Sequence, residues 1–191
     1  MGGIPVPAVV RFGHGFIQGA EHAARELGLA AGEVEINFAY LGNFNADPGH
    51  TIMASSWYAG GTTVIFAAAG QAGGSVMNAA ESNNAFVIGV DTDQSHLSPT
   101  VITSAMKGVN ESVYQMINNL NNNAWRGGTE LNFTVANNGV GLPMSTSKFA
   151  TFSQADYDAI FRQIGSGAVR VNDSLDMEAI RAGLNIVVVN D

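Results

Sequence analysis

The chain has 191 residues, 46% apolar and 13% charged, with no cysteine. Eight basic and sixteen acidic side chains leave a net charge of −8, and Lys107 and Lys148 are the only lysines. That balance argues against nucleic acid as a partner, because neutralising phosphates needs clustered Lys and Arg. It likewise disfavours anionic membrane surfaces. Disulfides, thiolate chemistry and zinc–thiolate sites are excluded outright.

The length fits one domain or one and a half, enough to bury a real core. No apolar run approaches the roughly 20 residues of a membrane span. Met1-Gly2-Gly3-Ile4-Pro5 lacks the basic start and apolar stretch of a signal peptide.

Along the chain, helical and extended patterns alternate. Phe16, Ala20, Ala23, Ala24 and Leu27 recur at helical spacing, with Gly28 near the stop. Val34 to Leu41 reads as a strand. Asp47-Pro48 opens a second helix carrying Ile52, Met53 and Trp57, ended by Gly60-Gly61. Thr63 to Ala67 is a short apolar strand. Gly70 to Gly74 is a glycine-rich turn, and Ser75 to Glu81 continues as helix. Phe86 to Val90 is a further buried strand that ends in Asp91, and Val101 to Ser104 is the next. Val109, Val113, Met116, Ile117 and Leu120 make the clearest amphipathic helix.

The later third is less regular. Glu130 to Val135 alternates like a strand, Asn137-Asn138-Gly139 signals a turn, and Val140-Gly141-Leu142 is short and apolar. Ser153 is placed to cap a helix carrying Tyr157, Ile160, Phe161 and Ile164, and Ser174 to cap another. Ile186 to Val189 reads as a last strand.

Continuous apolar strands separated by helices predict a three-layer, doubly wound, mostly parallel α/β sheet. In such sheets ligands bind beyond the carboxyl ends of the strands. The positions of interest therefore follow Leu41, Phe66 and Val90. Gly70-Gln71-Ala72-Gly73-Gly74 can present free N–H groups to a ligand or simply make a tight turn. It matches neither a dinucleotide fingerprint nor a P-loop. Asp91 can accept hydrogen bonds from a vicinal diol or cap the next segment. Phe66 is either a core residue or a ring exposed for stacking on a planar base. Lys107 is either solvated or a donor to ligand hydroxyls. His14, His22, His50 and His96 have no metal-ligand spacing, and no GxSxG nucleophile occurs.

Several ordered motifs carry a family resemblance. They are Phe12-xxx-Phe16, Tyr40-Leu41-Gly42-Asn43-Phe44, Asp47-Pro48, Val64 to Gly70, Val87 to Gln94, Thr103-Ser104-x-x-Lys107 and Asn138 to Leu142. Over about residues 3 to 170 the chain resembles the basic membrane protein family. These are the substrate-binding lipoproteins of nucleoside ABC transporters, of the purine nucleoside receptor type.

The resemblance implies a lobe of the type I periplasmic-binding-protein class, the second of two. Residues 1–142 would form the ligand-binding lobe. Residues 143–191 would be a helix-and-strand segment packing on the missing first lobe. It implies a purine nucleoside whose base stacks on Phe66, with Gly70 lining the pocket and Asp91 and Lys107 on the ribose hydroxyls. Phe44, Gly73, Asp93 and Gln94 would make a wider ring of ligand contacts.

The expected partners are the absent N-terminal lobe, an ABC transporter permease and, across the apolar inter-lobe face, a second copy in a homo-oligomer. No cofactor, metal or catalysis is expected. The full-length protein would be extracytoplasmic and held to the membrane by an N-terminal lipid. The rival readings are a nucleoside- or sugar-processing hydrolase using Asp91 and Asp93, and a small-molecule-sensing regulatory domain.

Overall fold

A computed structural model describes residues 1–191. The chain forms six α-helices and six strands, alternating as far as β3. α1 (Pro7–Glu26) leads to β1 (Val34–Asn37), α2 (Pro48–Ala59) and β2 (Val64–Phe66). Then come α3 (Ala72–Asn83), β3 (Phe86–Asp91), β4 (Val101–Lys107) and α4 (Val109–Asn121). The chain closes with β5 (Val140–Gly141), α5 (Gln154–Gly165), α6 (Met177–Arg181) and β6 (Val187–Asn190).

β2, β3 and β4 pair in parallel, and β5 joins β4 antiparallel. β1 and β6 form a separate parallel pair. Between the two sheets lies only the start of the chain, where Gly2 bridges Tyr40 on one side and Ala68 on the other.

Strand alternation sorts the core into two layers. Ile65, Ala67, Val87 and Val101 cluster with Ala54 and Tyr58 of α2 and Val76, Met77 and Ala79 of α3. On the opposite face, Phe66, Ala68 and Val90 meet Val9, Phe12 and Phe16 of α1. Helices thus cover both faces, giving the three-layer, doubly wound α/β lobe.

Local chemistry sets the boundaries. Asp47 caps α2 by accepting from the Gly49 N–H at 2.7 Å, with Pro48 in the first turn. Ser153 and Asp156 form a reciprocal capping box on α5. α1 starts a full two turns before the apolar pattern that announced it, with Pro7 in its first turn.

Three expectations are corrected. Glu130 to Val135 is not a strand. Thr134 and Asn137 bond each other's backbone and wind Val135–Asn137 into a 3-10 turn, so side chains there replace a ladder. The strand expected over Val34 to Leu41 stops at Asn37, and Leu41 bonds the Gly2 carbonyl instead. The cap of α6 is Asp176, which accepts from Glu178, while Ser174 Oγ accepts from the Asp176 N–H.

The last twenty residues fold back onto this lobe. Gln18 and Asn172 exchange two hydrogen bonds, Nε2 to carbonyl at 2.9 Å and N–H to Oε1 at 2.8 Å. His14 Nδ1 donates to the Ser174 carbonyl at 2.9 Å. The strongest tie is the buried Glu21, whose carboxylate accepts from the backbone N–H groups of Asn185, Ile186 and Val187 at 3.1, 2.9 and 3.0 Å. Arg25 adds a fourth donor at 2.9 Å. Burial alone would raise this carboxyl, but the donors together hold it down at about 2.

Candidate functional site

At the carboxyl ends of β2, β3 and β4 a cleft of about 220 Å³ opens beside the first turns of α1. Its walls include Phe12, Phe44, Gly70, Asp91 and Lys107. Five segments distant in sequence supply these groups: α1, the loops after β1 and β2, and the carboxyl ends of β3 and β4, the end of a parallel sheet where ligands bind.

Phe44 sits in the loop after β1. Its carbonyl accepts from the Ala72 N–H at 3.0 Å, which ties the loop to the first turn of α3. The ring lies on bare backbone: a Cβ on Gly3 would collide with it, and one on Gly70 would come within 3.3 Å of its Cβ. Gly70 also has φ +56°, the left-handed region that glycine enters without strain. Glycine at both positions is what leaves room for Phe44 at the cleft.

Asp91 ends β3 with φ +68°, an uncommon conformation outside glycine. Its carboxylate accepts from Lys107 Nζ at 2.8 Å. Lys107 is the last residue of β4 and pairs with Val140 of β5. The next residue, Gly108, touches the Asn138 carbonyl so closely that a Cβ would clash. Both charged side chains stay about half exposed, so their polar atoms remain available to a ligand. The Lys107 ammonium also stands 6.0 Å from the Phe12 ring centroid, at the outer limit of a cation–π contact.

Phe66 lies one layer behind the cleft. It is buried, meets Phe12 edge-on at 6.0 Å and Phe16 tilted at 5.5 Å, and does not form the cleft wall. Gly73 is buried in α3 against Ala67. Asp93 accepts from the Ser95 N–H at 3.0 Å and from Thr146 Oγ1 at 2.7 Å, which lowers its carboxyl and pins the 143–147 segment. Gln94 Oε1 accepts from the Val90 N–H at 3.2 Å and, with Ser104 Oγ, packs over Gly89 where a Cβ would collide. The structure therefore brings Phe44, Gly70, Asp91 and Lys107 together. Phe66, Gly73, Asp93 and Gln94 brace that group from behind and beside it.

Sequence reasoning quoted Phe12 only as part of the Phe12-xxx-Phe16 motif, gave it no place in the site, and did not single out Val6 or Ala8; all three line the cleft. Phe12 lies four residues before Phe16 on α1, so the two rings share one helix face, and that spacing was the available signal.

Comparison with known proteins fixes the family. A family model described as "ABC transporter substrate-binding protein PnrA-like" matches residues 1–173. The chain belongs to this Bmp family. Basic membrane protein B of Borreliella burgdorferi is 36% identical over 149 residues, covering 75% of this chain and 41% of that protein. The "ABC transporter nucleoside-binding protein BmpA" of Lactococcus lactis is 28% identical over 169 residues, covering 78% and 46%. The chain thus spans less than half the length of these curated relatives.

Among solved structures, an ABC transporter solute-binding protein from Aeropyrum pernix superposes with a TM-score of 0.75 at 21% identity, covering 95% of this chain and 58% of that one. A transcriptional activator of the comK gene from Bacillus halodurans gives 0.53 at 18%, covering 69% and 45%. At these identities the likeness establishes the shared lobe fold. No helix of the chain is long and apolar enough to cross a membrane.

Proposed function

We propose that this lobe forms one wall of a purine-nucleoside site in the solute-binding component of an ABC-type uptake system. One observation carries the reading. An aromatic ring on bare glycine backbone, a carboxylate and an ammonium converge on one cleft at the strand ends. A base offers a flat π-face to Phe44, with Phe12 at its side and Phe66 holding Phe12 in place. The ribose diol donates to Asp91 and accepts from Lys107, so the ligand enters the existing 2.8 Å ion pair rather than an empty charge.

The cleft volume supports a half-site. About 220 Å³ falls below the ~300–1,000 Å³ of a complete ligand pocket. A second lobe supplies the opposite wall, and closure of the two around the ligand makes the form that a permease reads. The name of the Lactococcus lactis relative, a nucleoside-binding protein, agrees with this ligand class. The full-length protein then works outside the cytoplasmic membrane, anchored by an N-terminal lipid.

The reading is tested by NMR titration of the lobe with guanosine. Shifts confined to Gly70, Asp91 and Lys107, weakened at least tenfold in Phe44→Ala and in Asp91→Ala, are expected. Equal shifts in all three proteins would discard the site. Release of free base from inosine would instead make the cleft a hydrolase.

A further inference from the structure

Phe44 reaches the cleft from a loop, residues 41–47, that ends at the cap of α2. Two buried polar side chains hold that loop, one at each end. His50, in the first turn of α2, is 8% exposed, and its Nε2 donates to the Leu41 carbonyl at 3.3 Å. Ser75 on α3 is 4% exposed, and its Oγ accepts from the Asp47 N–H at 3.1 Å. Between these points the Phe44 carbonyl accepts from the Ala72 N–H. The base of the clamp is firm. Ala54 and Tyr58 of α2 share one core cluster with Val76, Met77 and Ala79 of α3, and Thr51 Oγ1 donates to the Ser75 carbonyl at 3.2 Å.

Packing does not explain these two residues. A buried polar group costs stability unless its hydrogen bonds are made. The His50 ring makes one bond, and its Nδ1 is buried without a partner. An apolar side chain would fill the same space at lower cost. What the imidazole adds is the bond to Leu41. Ser75 Oγ, in the same way, bonds the loop.

The seat of Phe44 leaves little slack. A Cβ on Gly3 would collide with the ring, and one on Gly70 would stand 3.3 Å from the Phe44 Cβ. A loop shifted by about an ångström takes the ring out of the geometry that binding needs.

We propose that His50 and Ser75 are positioning residues for Phe44. They clamp the two ends of its loop and reach a ligand only through its ring. The inference rests on reading the cleft as a nucleoside site.

NMR of the full chain tests the clamp first without ligand. Cross-relaxation between the Phe44 ring protons and the α-protons of Gly3 and Gly70 reports where the ring sits. It should fall in His50→Met and in Ser75→Ala. It should return in His50→Gln, whose amide can donate to Leu41 as the imidazole does. Amide protection in β3 should match the parent, which separates a displaced loop from unfolding. Unchanged cross-relaxation in His50→Met and Ser75→Ala would overturn the proposal. Should His50→Met fail to fold, Ser75→Ala alone decides.

Guanosine titration comes second. His50→Met should weaken binding by about fivefold or more, yet change it by less than about twofold in the Phe44→Ala background, because a residue that acts through a ring has no effect once the ring is gone. A further loss in that background would reveal a route around Phe44 and overturn the proposal. A parent that binds no guanosine would discard the nucleoside reading, while cross-relaxation would still decide the clamp.

Discussion

The parallel half, Met1 to Lys107, and the part that follows are stabilised differently. Nearly every buried apolar side chain belongs to the first; after Lys107 only Ile180 and Val187 reach that state. α4 and α5 bury none at all. The first half is held by a packed core on both faces of a sheet. The second is held by polar contacts at a few points, above all the Glu21 carboxylate gathering three N–H groups from residues 185–187. Two helices with similar apolar stripes in the sequence can therefore contribute very unequally to stability.

The largest effect should come from one pair of matched substitutions. Ile17 on α1 is fully buried and Ile117 on α4 is 55% exposed. Ile17→Ala should cost toward the upper end of the ~2–5 kcal/mol range for emptied core sites. Ile117→Ala should stay within about 0.5 kcal/mol. Urea unfolding reads both. Similar losses would mean that α4 is packed in solution, as in a homo-oligomer formed through its exposed Val113, Ile117 and Leu120.

That contrast also shows how much the sequence revealed. β2 and β3 were legible because strands covered on both faces are continuously apolar, and α2 because Asp47-Pro48 is a local start signal. The amphipathic pattern of α4 was equally legible, but a stripe records a capacity to be covered rather than the cover itself. Phe66 could not be placed, because residue alternation says which residues share a face and not which face meets α1. The pairing of β1 with β6 and the Glu21 tie join residues more than 150 positions apart and leave no local trace. Of the site, Asp91 and Lys107 could be read from their position at strand ends, and Phe44 from its motif. Phe12 stood in a motif, but its place in the cleft became visible only when α1 was laid across the strands.

Glu21 gives the complementary test in the polar half, at about 3 kcal/mol. Its carboxyl lies at about 2 against 4.5 when unfolded. The stabilisation is complete above pH 4.5 and is lost as pH falls toward 2. Glu21→Gln keeps one acceptor oxygen but loses the charge and should release the tail. Exchange at Ile186 and Val187 should speed up by two orders of magnitude or more, while β2 and β3 stay protected. Loss of protection throughout would mean that the two regions unfold as one unit.

The smallest expected change in stability is at the cleft, and it separates binding from folding. The Asp91–Lys107 pair is half exposed, so water screens it and its contribution is about 0–1 kcal/mol. Asparagine tolerates the left-handed φ of +68° that Asp91 adopts. Asp91→Asn should therefore leave Tm within about a degree of the parent. It nevertheless replaces a charged acceptor by a neutral amide, which halves the strength of a hydrogen bond from a ribose hydroxyl. Guanosine affinity should fall at least tenfold with the fold untouched. An equal drop in Tm would show instead that the pair holds β3 to β4, and a preserved affinity would place the diol elsewhere in the cleft.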